Sequence, residues 1–201
     1  MENTHFKAIQ ISESADKQYI RSMIQRQISD LPAGEVLVRV HYSALNYKDA
    51  LSSVGNKGVT RNYPHTPGID AAGVVELSES SDFEVGDEVI VTSYDLGMNT
   101  SGGLSEYIRV PAHWVVPMPT NLSMRESMIN GTAGFTAAMC INSLINNGLD
   151  LKSIIFWDTF STAKYSTTAP QSASTKSFAP PDLSKQMIGF SNIAASKTTS
   201  G

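Results

Sequence analysis

The sequence predicts a mainly β protein with short helices: a β-sandwich or barrel, then a helix, then a polar tail. Three observations predict it. From Phe6 to Met118 the chain reads as short segments of alternating or apolar residues separated by Gly- and Pro-containing turns, the pattern of a barrel or sandwich. At Ser123 the pattern becomes helical, and at Asp158 the composition becomes dominated by Ser and Thr.

Phe6–Ile11 alternates weakly and reads as a first strand. Gln18–Gln27 reads as a second, with Tyr19, Ile20, Met23 and Ile24 expected to supply apolar contact. Leu31-Pro32-Ala33-Gly34-Glu35 is a turn, because Pro fixes φ and Gly admits dihedrals other residues avoid. Val36, Val38 and Val40 alternate with Leu37, Arg39 and His41, the cleanest two-residue period in the chain. Asn46–Val54 is expected to form a short helix ended by Gly55. Tyr63–Gly68 is expected to be extended, since each Pro disfavours helix at the residue before it. Ile69–Leu77 is the next strand, and Gly73 inside it predicts a bend or a close backbone approach. Val85–Val91 is a tight turn feeding a strand, Met98–Gly103 a flexible loop, and Leu104–Val110 and Trp114–Met118 complete the β section.

Ser123-Met124-Arg125-Glu126 is a capping box, with a hydroxyl for orphan N–H groups and a Glu reaching back. The helix it opens is interrupted by Gly131-Thr132-Ala133-Gly134 and resumes to about Asn146, where Asn147-Gly148 is a stop. Ser153–Trp157 reads as one strand. Beyond it the Ser/Thr-rich segment lacks the apolar periodicity needed to offset its ordering entropy and reads as disordered. The domain boundaries so drawn are 1–122 for the β domain, 123–157 for the helix and the start of a second domain, and 158–201 for the tail.

Composition excludes several function classes. The net charge of −4 and pI near 5.5 give no electrostatic case for nucleic acid or an anionic membrane. Apolar runs fall short of the ~20 residues of a membrane span, and Met1–His5 shows no secretory pattern. The single cysteine, Cys140, forms no intrachain disulfide. A cytoplasmic location is the expectation.

Two stretches carry the chemistry. Ser43-Ala44-Leu45-Asn46-Tyr47-Lys48-Asp49-Ala50-Leu51 leaves a strand, opens a helix and presents an amide, a phenol, an amine and a carboxylate in sequence. Pro67-Gly68-Ile69-Asp70-Ala71-Ala72-Gly73-Val74-Val75 is a Gly-punctuated entry into a buried strand. On residue types alone, Asn46 is a helix cap and Tyr47 covers the core edge. Lys48 and Asp49 do not face one another on a helix; Lys48 reads as solvated surface, with a weak case for an acyl-CoA phosphate, and Asp49 as structural.

Together these stretches resemble the catalytic domain of the medium-chain dehydrogenase/reductase superfamily, in its zinc-free quinone-oxidoreductase branch and nearest the acrylyl-CoA reductase type. The match covers about residues 6–150. It implies a GroES-like, partly open β-barrel followed by the first helix of an incomplete Rossmann domain. It implies NADPH as cofactor and a 2-enoyl thioester or a quinone as substrate. It places Asn46 and Tyr47 beside the nicotinamide and Thr132, in the Gly131–Ala137 motif, near the carboxamide. Zinc-binding relatives carry a Cys near Asn46 and a His-Glu pair where this chain has Ile69 and Asp70, and His5, His41, His65 and His113 lack ligand spacing, so no metal site is expected. The four histidines are expected at surface or in loops.

No G-x-G-x-x-G occurs in the sequence, so the turn that would approach a pyrophosphate is missing and this chain is expected to be inactive alone. The tail is a frameshifted reading, a fused segment or genuine divergence. The alternative function is a non-catalytic GroES-like binding module, and a homo-oligomer formed through an exposed helix face is expected in either case.

Overall fold

The computed structural model describes residues 4–148. The expected strand Ser153–Trp157 and the Ser/Thr-rich tail lie outside them. The chain divides into two compact units, Met1–Met139 and Cys140–Gly201; everything below concerns the first except where α2 runs on to its end.

Among the described residues seven strands and two α-helices follow in order: β1 His5–Glu13, β2 Tyr19–Gln27, β3 Val36–Tyr42, α1 Tyr47–Ser53, β4 Asp70–Ser78, β5 Glu88–Thr92, β6 Tyr107–Val110, β7 Val115–Pro117 and α2 Met124–Asn146. β1 and β2 form an antiparallel ribbon, and the other strands an antiparallel sheet in the order β6-β3-β4-β5-β7. Both sheets are open, and no closed barrel forms among the described residues. The ribbon is pinned to the rest by backbone pairs between Ile11 and His65 and between Ile9 and Leu104.

The period-two reading of β3 holds to the atom level. Val36 and Val38 face one core with Ala71, Val75, Val89, Val91, Ile108 and Val110, while Leu37 faces a second with Phe6, Ala8, Ile28 and Leu31. One strand thus glues both cores. β2 differs from expectation. Ile20 and Met23 are about half exposed, because β2 is an edge strand of a two-stranded ribbon. The loop Met98–Gly103, expected to be flexible, is tied down: Gly102 and Gly103 donate to the Thr66 and Gly68 carbonyls at 2.8 Å each. Trp114 is half-buried and packs on the first core.

Gly73 sits where predicted. A Cβ there would lie 2.0 Å from the Arg39 carbonyl oxygen, and the β3–β4 register shifts beside it, between Val40 and Tyr42. The capping box is also present: Ser123 Oγ accepts from the Glu126 N–H, and Glu126 accepts from the Ser123 N–H at 3.0 Å. α2 breaks at Gly131, whose φ of 50° and ψ of −163° are non-helical. By length and composition α2 is also apolar enough to cross a membrane. Its buried Ser127, Met128 and Gly131 seat its first half on the β domain.

Candidate active site

The site is built where three segments converge: the β3–α1 junction, the Pro67–Asp70 entry to β4, and the break in α2. Asp70 is fully buried. Its Oδ2 accepts from the Asn46 side-chain amide and from the Thr132 backbone N–H, both at 2.8 Å, and its Oδ1 accepts from the Thr132 hydroxyl at 2.6 Å. Every partner is a donor, which suits a carboxylate held without a cation.

The break in α2 makes this possible. Thr132 opens the second helical segment, so its N–H lacks an intrahelical acceptor, and Asp70 supplies one. Gly131 must be glycine for two reasons. Its backbone lies where side chains are strongly disfavoured, and a Cβ would meet Asp70 Oδ2 at 2.8 Å and Ala44 Cβ at 3.0 Å.

Asp49 carries the other half of the scaffold. It is buried, and it accepts from the backbone N–H groups of Asn46, Gly68 and Ile69 at 2.8, 2.9 and 3.1 Å. This fixes the start of α1 against the entry to β4 and so holds Asn46 facing Asp70. Burial pushes the Asp49 carboxyl from 3.8 up to about 6; the three N–H groups oppose that rise and nearby Asp70 adds to it. Gly68, with φ of 115°, packs directly on the backbone of Gly103 and Leu104, so no larger residue fits this turn. Ser43, leaving β3, donates to the Gly103 carbonyl.

The expected site residues divide clearly. Asn46 and Thr132, far apart in sequence, meet on one carboxylate. Asn46 is the N-cap residue of α1, in a capping box with Asp49, and its side-chain NH2 also donates one hydrogen bond to Asp70. Tyr47 does not cover the core edge: it is 60% exposed, and no hydrogen bond engages its hydroxyl among the described residues. Lys48 is exposed. Asp49, read from the sequence as structural, is buried. Of the histidines, His5, His41 and His113 are exposed, but His65, although in a loop, is buried with its Nε2 2.8 Å from the Gly97 carbonyl oxygen. Burial holds its pKa below the ordinary imidazole value.

Asp70 is the residue that sequence reading missed. Its signal was an acid inside the apolar run Ile69–Ala72 with no basic neighbour, which demands donors from elsewhere. Among the described residues no group of three or more His, Cys, Asp or Glu side chains could hold a metal ion. An open groove lined by Asp87, Glu88, Pro117, Met118, Pro119, Thr120 and Leu122 shares no residue with this site.

This open antiparallel sheet, with its glycine-packed turn and buried acid at the start of β4, defines a GroES-like domain of the alcohol dehydrogenase kind, and the model of that family, the alcohol dehydrogenase GroES-like domain, matches residues 32–120. The chain belongs to the medium-chain dehydrogenase/reductase superfamily. The protein YhfP of Bacillus subtilis is 49% identical over 149 residues, covering 73% of this chain and 44% of its own length. The acrylyl-CoA reductase AcuI of Ruegeria pomeroyi is 46% identical over 125 residues, covering 62% of this chain and 38% of its own. The yhdH oxidoreductase of Salmonella enterica, solved in complex with NADP, superposes with a TM-score of 0.70 at 42% identity, covering 73% of this chain and 45% of that one. The chain therefore spans less than half the length of the relatives it matches.

Proposed function

We propose that residues 4–148 form the nicotinamide end of a zinc-independent, NADPH-dependent reductase site acting on the C=C bond of a 2-enoyl thioester or on a quinone. The convergence of Asn46 and Thr132 on buried Asp70, beside a solvent-facing Tyr47, is the observation that carries this reading. The residues fit the group. Thr132 offers a half-buried hydroxyl, Asn46 keeps one amide N–H beyond the one given to Asp70, and Tyr47 offers a ring and a free phenol. The nicotinamide, when bound, supplies the hydride.

The chain's own groups bind and polarise. Tyr47 lays apolar area against a planar ring. The second Asn46 N–H and the Tyr47 hydroxyl are donors for an oxygen on which charge develops, an enolate in one substrate class and a quinol in the other. Asp70 and Asp49 keep the Asn46 amide in place before the reaction, so little reorganisation of that donor is needed during it.

The sequence lacks a G-x-G-x-x-G turn, so the phosphates and adenine find no such cradle here, and this chain alone is proposed to bind NADPH weakly and to turn over at no detectable rate. A cytoplasmic setting accords with this reading. The second reading, a non-catalytic binding module, draws on the exposed Ile129, Phe135 and Met139. Nuclear magnetic resonance titration of the chain with NADPH separates the two. The reductase reading expects saturable shifts confined to the Asn46, Tyr47 and Thr132 signals and their neighbours. An unchanged spectrum overturns it.

A further inference from the structure

The hydrogen bonds at Asp70 fix more than position. The Thr132 hydroxyl has one proton, and Asp70 Oδ1 takes it at 2.6 Å. A hydroxyl whose proton is spent retains only lone pairs. The Thr132 backbone N–H is spent on the same carboxylate. Asp70 is fully buried and has no proton to lend while its three partners all donate to it. Thr132 therefore meets any ligand as an acceptor and never as a donor.

We propose that Asp70 is a specificity-determining positioning residue: by taking the Thr132 proton, it makes that hydroxyl a receptor for an N–H donor, and the ligand group it selects is the NH2 of a primary carboxamide. This rests on the reading above that the nicotinamide lies against Thr132, and it deepens it. A ligand bearing a ketone in place of the carboxamide presents a methyl group to the Thr132 lone pair and forfeits one hydrogen bond. The same arithmetic states what isosteric Asp70→Asn does. To keep the Thr132 and Asn46 N–H groups satisfied, the new amide must place its oxygen at the Oδ2 position. Its NH2 then faces Thr132 Oγ1 as a donor. The Thr132 proton is released, and the hydroxyl becomes a donor toward the ligand.

The test uses two near-isosteric probes, nicotinamide and 3-acetylpyridine, titrated into the isotopically labelled chain and read from the amide shifts at Thr132 and its neighbours. The parent is expected to bind nicotinamide roughly three- to tenfold more tightly, the span of one net hydrogen bond. In Asp70→Asn the preference disappears or reverses. Should that variant fail to fold, Thr132→Val, which keeps the shape and the backbone bond, is expected to lose the preference, and Thr132→Ser to retain it. A purely structural Asp70 would weaken both probes alike and leave their ratio unchanged, which overturns the inference. Equal affinity of the parent for both probes overturns it while leaving the nicotinamide reading intact. Failure of both probes to shift any signal overturns that reading and the inference together.

Discussion

Gly131→Ala attacks the site at its mechanical centre. The backbone there, φ of 50° with ψ of −163°, is nearly glycine-only territory, and strain of that kind costs about 1–3 kcal/mol. The new Cβ also lands 2.8 Å from Asp70 Oδ2, closer than real contacts allow. Asp70 must retreat, loosening its bonds from Asn46 and from the Thr132 N–H; hydrogen bonds to charged groups are worth about 1.5–3 kcal/mol each, and partial loss adds about 1–2 kcal/mol. The total, about 2–5 kcal/mol, is a large share of the about 5–15 kcal/mol that holds an ordinary domain. With an m-value of about 2 kcal/mol/M, the urea midpoint should fall by about 1–2.5 M. Gly134→Ala is the control. It lies within the resumed helix, the side-chain atoms nearest its Cβ are those of the exposed Asn130, and helix propensity favours Ala by about 0.5–1 kcal/mol. A Gly131→Ala protein with the parent's midpoint would refute the account of the break.

Three further outcomes follow from the same structure. Because burial raises the Asp49 carboxyl from 3.8 to about 6, the folded state keeps this proton where the unfolded state has lost it. Its stability contribution is therefore present at low pH and lost as pH rises through about 6, by about 3 kcal/mol; His65, held low, works in the opposite direction, so the pH dependence of parent minus Asp49→Asn isolates the effect, and an unchanged slope contradicts it. Metal analysis of the dialysed protein should find no stoichiometric zinc, given that Ile69 and Asp70 stand where zinc-binding relatives carry ligands; one zinc per chain would refute this. Ile129, Phe135 and Met139 are each more than half exposed, and apolar area left in water costs about 25 cal/mol per Å², so the chain should self-associate at micromolar concentration and Phe135→Glu should weaken that association in sedimentation; a parent that sediments as a sharp monomer argues against it.

Local physics was legible in the sequence, and long-range chemistry was not. The β3 alternation, the bend at Gly73, the Ser123 capping box and the break at Gly131 are each set by residues within a few positions of one another, so patterning and steric freedom suffice to read them. The strand bounds shift by one to three residues, as where Leu104–Val110 contracts to Tyr107–Val110, because pairing partners, not propensity, end a strand. The burial of His65 depends on contacts with β1 and Gly97, and the exposure of Ile20 on the lack of a neighbouring strand; neither is written locally. Asn46 and Thr132 stand out in the sequence only through the family resemblance. That they share one carboxylate depends on the sequence-distant Asp70, and on Asp49 clamping the start of α1 to the β4 entry. A buried acid in an apolar run announces that donors must arrive, but not from where.

The central proposal is that residues 4–148 hold a competent nicotinamide end. A chimera tests it most directly: residues 4–148 of this chain joined to the part of Ruegeria pomeroyi AcuI that lies beyond its matched segment, assayed for NADPH oxidation with acrylyl-CoA and with a quinone. The account predicts saturable turnover by the chimera, a lower rate in its Tyr47→Phe variant, and none from the isolated chain. A folded chimera that binds NADPH and reduces neither substrate, or an isolated chain that turns over on its own, would contradict it.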